Sequence, residues 1–181
     1  MSLVGFKSSN HPQQVGKRGA TERDNLGTDP KLYSVLDERF QFTIDVAATQ
    51  ENAKAPVYYS LDRLNGLEEP WFGRVWCNPP YSEIGAWVRK AWAEWALWPE
   101  QLQLIVMLLP ANRPEQAWWQ DLVEPHRDRE DSPLRVEFLR GRQRFVMPGA
   151  ESIGPNERPP FGCCLLIWQH PISVEEGHGA T

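Results

Sequence analysis

The sequence predicts an α/β protein built on a doubly wound sheet, mostly parallel, that closes with an antiparallel C-terminal hairpin. Three observations carry this expectation. Short apolar or β-branched runs alternate with segments whose apolar residues recur at helical spacing. One run, Gln103 to Leu109, is apolar almost without interruption, as in a strand buried on both faces. After residue 134 the alternation gives way to two short runs around Gly141, which read as a hairpin.

A chain of 181 residues suits one domain with a real core, expected over residues 25–170. Residues 1–24 are polar and aperiodic and read as a flexible arm whose Lys7, Lys17, Arg18 and Arg23 are solvated. Residues 171–181 read as a disordered tail. No internal repeat or second domain is visible.

Asp29-Pro30 predicts a helix start, an N-cap acceptor followed by proline at the first helical position, with Leu32, Val35, Leu36 and Phe40 at helical spacing. Leu26-Gly27-Thr28 precedes it as a candidate loop. Phe42 to Val46 reads as a short strand ending at Asp45. Ala47 to Asn52 reads as a small-residue turn into a short helix. An acidic residue at that place accepts hydrogen bonds from an ammonium or a ribose hydroxyl, and a surface turn aspartate explains it equally well. Pro56 to Pro70 reads as a connection, with Asp62 in a turn near the site.

Val75-Trp76-Cys77 predicts a buried strand that breaks off into Asn78-Pro79-Pro80-Tyr81, and Ser82 is placed to cap the helix that follows. That helix, about Glu83 to Trp98, puts Ile84, Trp87, Val88, Ala91, Trp95 and Trp98 on one face and leaves Arg89, Lys90 and Glu94 for solvent. Pro110 ends the Gln103 to Leu109 strand, and Asn112-Arg113-Pro114 opens a helix through about Val123. The expected hairpin joins Arg135 to Leu139 with Gln143 to Val146. It holds Arg135, Arg140, Arg142 and Arg144, the densest basic cluster in the chain, interleaved with Phe138 and Phe145. A nucleic-acid-facing ribbon and an edge hairpin with solvated arginines both account for it. Met147 to Pro160 reads as a loop and Gly162 to Trp168 as the last strand.

Composition narrows the class. A net charge of −5 argues against wholly electrostatic nucleic-acid binding while leaving room for a local basic face. No apolar run approaches the roughly 20 residues that span a bilayer, and no apolar signal core is seen. Three cysteines, two of them adjacent, make no disulfide framework and point to a reducing interior. No Cys/His cluster has metal-ligand spacing, and no Gly-rich loop supports a phosphate-cradled cofactor.

Asn78-Pro79-Pro80-Tyr81 carries the chemistry. Two prolines fix two φ angles and remove two backbone donors, which leaves a stiff, acceptor-rich loop. The Asn78 amide adds an acceptor and Tyr81 a flat ring. Such a loop suits a planar group bearing an NH2, because accepting both hydrogens favours a pyramidal nitrogen whose lone pair is free. This is positioning with electrostatics and needs no strongly shifted base. At a strand's carboxyl end the loop also lies where open α/β sheets bind ligands.

Asn-Pro-Pro-Tyr at a strand end resembles the motif of S-adenosylmethionine-dependent amino-methyltransferases. From about Arg23 to Trp168 the order of segments is similar to phage-type DNA N6-adenine methyltransferases, a Dam-like family. The shared features include the early threonine loop, Phe42-Thr43-Ile44-Asp45-Val46-Ala47-Ala48 with Glu51-Asn52-Ala53-Lys54, and Tyr58-Tyr59. They continue through Trp76 to Tyr81, Leu108 to Ala111, and Phe138 to Arg142 with Phe145. Where that family has Trp before and Pro directly after the threonine, this chain has Leu26, then Asp29 with Pro30 displaced by one.

The resemblance implies a Rossmann-like class I methyltransferase fold acting on double-stranded DNA, with S-adenosylmethionine as cofactor and no metal. It implies that Thr28, Asp45 and Ala47 line the cofactor pocket, with Asp62 a further candidate. Asn78 and Pro79 would bridge cofactor and base, Pro80 would stiffen the loop, and Tyr81 would stack on a flipped adenine. Duplex contacts fall to Arg140, Arg142 and Arg144, with Lys90 and Arg113 in support, and the expected compartment is the cytoplasm, that of a bacterial host if phage-encoded. Methylation of cytosine N4, of RNA or of a protein amide, and a non-enzymatic DNA-binding module, remain the alternatives.

Overall fold

The structure, a computed structural model, describes residues 27–60, 63–146 and 161–170. The expected arm, the tail, Asp62 and the Met147 to Pro160 loop lie outside the described residues.

Chain order runs β1 (Gly27–Thr28), α1 (Pro30–Phe40), β2 (Ile44–Ala48), β3 (Val57–Ser60), β4 (Gly73–Cys77) and α2 (Ile84–Leu97). It continues through β5 (Leu102–Pro110), α3 (Ala117–Leu122), β6 (Leu134–Phe138), β7 (Phe145–Val146) and β8 (Cys163–Gln169). Six strands form one mixed sheet in the order β3-β2-β4-β5-β8-β6, and β1 and β7 form a separate antiparallel pair. β3, β2, β4 and β5 run parallel, and β8 runs antiparallel to both β5 and β6.

Helices cover both faces. α1 packs Leu36 and Phe40 on Trp76, Leu104, Val106 and Leu108, while α2 and α3 bring Trp87, Val88, Trp118 and Trp119 to Val75, Cys77, Ile105 and Met107. Val75 to Cys77 of β4 and Leu104 to Pro110 of β5 alternate between these two cores and are buried on both sides, the reason these runs are apolar. Burying so many Trp and Leu side chains, at about 2 kcal/mol each, supplies the main driving force. α1 begins as expected: Pro30 is its first residue and Asp29 accepts the Lys31 amide at 2.9 Å.

Two glycines set the approach of loops to the sheet. A Cβ on Gly66 would run into the Val46 carbonyl, so only glycine lets that loop lie on β2. Gly73 has φ 67° beside Thr43 Oγ1 and opens β4.

Several expectations need correction. The 135–146 stretch is no hairpin: β6 pairs with β8, and β7 pairs with β1, so the antiparallel pairings involve strands distant in sequence. The 56–70 connection contains β3, whose short mixed pattern hides an edge strand. β2 continues three residues past Asp45, and residues 49–52 form a turn without a helix. Helix α3 covers only 117–122 of the expected 112–123, because Pro114 and the turn before Gln116 delay it. The N-cap position of α2 falls to Glu83, one residue past the expected Ser82, and the Glu83 side chain makes no cap bond. Glu94, expected in solvent, is buried.

Candidate active site

β2 is the point where the sheet's winding reverses. The chain leaves it for β3 on one side, then returns across it to β4 on the other. Crevices outside the carboxyl ends of strands at such a reversal are where open α/β sheets hold ligands. Asn78 to Tyr81 emerge from β4 at that place, with Asp45 aligned to Trp76 in the neighbouring strand.

The early threonine arrives by an unexpected route. Thr28 is 2% exposed in β1, paired with Phe145 of β7, and Gly27 sits against Asn52 in the turn after β2. Thr28 and the Asp45 turn are thereby brought to the same corner. Asp45 organises that turn: its Oδ1 accepts the Ala47 amide at 3.3 Å and its Oδ2 the Lys54 amide at 3.1 Å. Asn52 Oδ1 closes the same turn on the Thr49 amide at 2.6 Å. Burial pushes the Asp45 carboxyl up to about 6, outweighing the two backbone donors that favour its ionised form.

Tyr81 is hemmed in by aromatic side chains. Its ring meets Phe145 edge-on at 6.2 Å and tilts against Phe161 at 6.2 Å. Burial raises its phenol well above the ordinary range, so it stays protonated. The hydroxyls of Tyr81 and Thr28 are both buried with no hydrogen-bond partner among the described residues. The Thr28 hydroxyl, beside the Asp45 turn, is what a polar ligand in this corner would satisfy, whereas the Tyr81 hydroxyl lies towards Cys163 and Cys164. Asn78 is half-buried, with its Oδ1 shut off from bulk solvent. Arg113, from the loop after β5, donates from Nη1 to the Tyr81 carbonyl at 3.0 Å.

The predicted residues separate accordingly. Thr28, Asp45, Ala47, Asn78 and Tyr81 converge on the reversal point, joined by Pro79 and Pro80. Arg140 and Arg142 are exposed and Arg144 is half-buried. Lys90, expected in support of the duplex contacts, has its Nζ 2.6 Å from Glu94 in a largely buried pair on α2. Phe145, one of the two phenylalanines interleaved with the arginines, is buried. The sequence does not mark Phe161, which follows Pro159-Pro160, or the bond from Arg113 to the Tyr81 carbonyl.

Among the described residues no group of three His, Cys, Asp or Glu side chains is placed to hold a metal ion, and no helix is long and apolar enough to cross a membrane. Residues 16–175 match the profile of a family described as DNA N-6-adenine-methyltransferase (Dam). The chain belongs to the Dam family. Over 118 residues it is 33% identical to a "DNA N-6-adenine-methyltransferase" of Escherichia phage T1. That match covers 63% of this chain but 44% of the relative, so this Dam-family chain spans less than half the relative's length. The family match takes in every residue of the corner described above, from Thr28 to Phe161.

Proposed function

We propose that this chain transfers a methyl group from S-adenosylmethionine to the N6 amine of adenine in DNA. Family membership over residues 16–175 is the observation that carries the proposal. The sheet, with helices on both faces and its reversal at β2, is read as a Rossmann-like class I methyltransferase core. S-adenosylmethionine would lie beside Thr28, Asp45 and Ala47, and the unpartnered buried Thr28 hydroxyl supports a polar occupant. When bound, it supplies an electrophilic sulfonium methyl.

The chain's own residues position the amine. Asn78 Oδ1 and the Pro79 carbonyl accept the two N6 hydrogens, so the nitrogen lone pair turns out of conjugation with the ring. Pro80 keeps the loop stiff, and the Tyr81 ring supports an adenine extruded from the duplex. Extrusion costs roughly a few kcal/mol, which stacking in the pocket offsets. Arg140, Arg142 and Arg144 meet phosphates. The working compartment is the cytoplasm, that of a bacterial host if the chain is phage- or prophage-encoded, where the three buried cysteines stay free thiols.

Incubation with radiolabelled S-adenosylmethionine and mixed-sequence DNA, followed by digestion to nucleosides, tests the proposal. Label in N6-methyladenine is expected, and label in N4-methylcytosine alone would replace adenine as the substrate. Asn78→Ala should abolish transfer while S-adenosylmethionine binding, measured by calorimetry, stays largely intact.

A further inference from the structure

Of the two phenylalanines that punctuate the arginine-rich stretch, the fold buries one and leaves the other in solvent. Phe145 is 3% exposed beneath Tyr81, whereas Phe138 is 59% exposed. Phe138 is the last residue of β6, the edge strand of the sheet. Strand alternation puts it on the face of Leu134, which is buried, and Val136, which packs on the core, yet on this edge strand the ring is left exposed although its register partner Cys164 is buried. The strand end is held firmly. Glu137, next to it on the other face, takes two bonds from Arg39 at 2.6 and 2.7 Å, and the Leu139 amide donates to the Cys163 carbonyl at 2.9 Å.

Strand register locates Phe138 relative to the Asn78 loop. Cys77 lies opposite Met107. Leu109, two residues further along, lies opposite Cys164, and Cys164 lies opposite Phe138. Phe138 is therefore level with Pro79, on the same rim of the sheet, and displaced sideways by three strand spacings, about 14 Å. Just beyond it Arg140 and Arg142 are exposed. Between them Gly141, at φ 74°, turns the chain with open space around it.

A single exposed phenylalanine is ordinary on a protein surface. Here a fixed aromatic stands on the rim that carries the candidate site, followed at once by cations that complement phosphate. Duplex DNA offers both partners at that spacing, phosphates for the guanidinium groups and a base stack for the ring. We propose that Phe138 inserts into the base stack beside the extruded nucleotide and replaces part of the stacking lost there, while Arg140 and Arg142 hold flanking phosphates. The inference rests on the methyltransferase reading and names the surface through which that site grips its duplex.

Fluorescence of 2-aminopurine, placed at the adenine that the wild-type protein methylates, tests the inference. Wild-type protein raises the signal as the base leaves the stack. Phe138→Ala and Phe138→Ser, which can neither stack nor wedge between bases, should weaken duplex binding roughly five- to 150-fold and suppress the rise, while Phe138→Trp retains it. The salt dependence of binding should be unchanged in all three, whereas Arg140→Gln lowers its slope by about one. The ring lies in solvent, so melting temperatures should stay at the wild-type value. Normal extrusion and affinity in Phe138→Ser would overturn the inference while methylation by the wild type stands. A wild-type protein that methylates no DNA would overturn the methyltransfer reading and this inference with it.

Discussion

Arg113 donates from Nη1 to the Tyr81 carbonyl oxygen at 3.0 Å, tying the loop after β5 to the loop after β4. This side chain was expected on the duplex, yet its guanidinium pins the backbone from which the tyrosine ring projects. A charge-assisted bond of this kind contributes about 1.5–3 kcal/mol. Arg113→Ala should therefore lower kcat roughly tenfold or more and leave S-adenosylmethionine affinity nearly unchanged, with Arg113→Lys recovering part of the loss. The salt slope of duplex binding separates the two roles. A slope lower by about one in Arg113→Ala would return the residue to the phosphate contacts.

The buried, unpartnered Tyr81 hydroxyl makes a second expectation sharp. A polar group without a partner costs stability, so Tyr81→Phe should raise the melting temperature by a few degrees, the equivalent of about 1 kcal/mol. Methylation should persist, because ring and carbonyl remain. Calorimetry and a methylation assay on the same preparation check both. A severe loss of turnover would show that the hydroxyl touches the reacting groups.

Asp45 links stability to pH. Its folded-state pKa, pushed up to about 6, lies above its unfolded value, so the folded chain holds this proton more tightly. The resulting stability is complete below about pH 4, declines through pH 4–6, and above pH 6 the ionised carboxylate costs on the order of 3 kcal/mol. Denaturant midpoints measured between pH 4 and 7 should fall with this profile. Saturating S-adenosylmethionine should shift the decline to lower pH, because its ammonium favours the carboxylate. An unshifted profile would remove Asp45 from the cofactor's surroundings.

Lys90 and Glu94 give a stability prediction separate from function. Glu94 Oε2 accepts the Trp71 amide at 2.8 Å while Oε1 meets Lys90. Lys90→Met leaves a buried carboxylate without its cation and should cost about 3 kcal/mol. The duplex salt slope should not change. Urea denaturation and a binding titration read the two effects.

Legibility followed how local the cause was. α1 was readable because its cap, its proline and its apolar spacing all lie within a dozen residues, and β5 because double burial writes itself as an apolar run. The Asn78–Tyr81 loop was readable because two prolines and a strand end leave few structures open. The partners of β6 and β7 were not readable. A short β-branched run states that it pairs, but only the closed fold says with what, and proximity in sequence suggested a hairpin that does not form. The same limit hid Phe145 and Lys90. Each looks amphipathic in its own segment and takes its environment from a strand or a side chain elsewhere.

The two-residue pairing of Thr28 with Phe145 and Gly27 with Val146 joins segments near opposite ends of the described chain. Closing so long a loop carries an entropic cost that two ladder positions barely offset. This clasp should therefore form late in folding and open early, with amide exchange at β1 and β7 faster than in the six-stranded sheet. Thr28 and the arginine-bearing stretch are thus fastened by the weakest joint in the sheet system, and whatever occupies one side of that joint changes how often the other side is held.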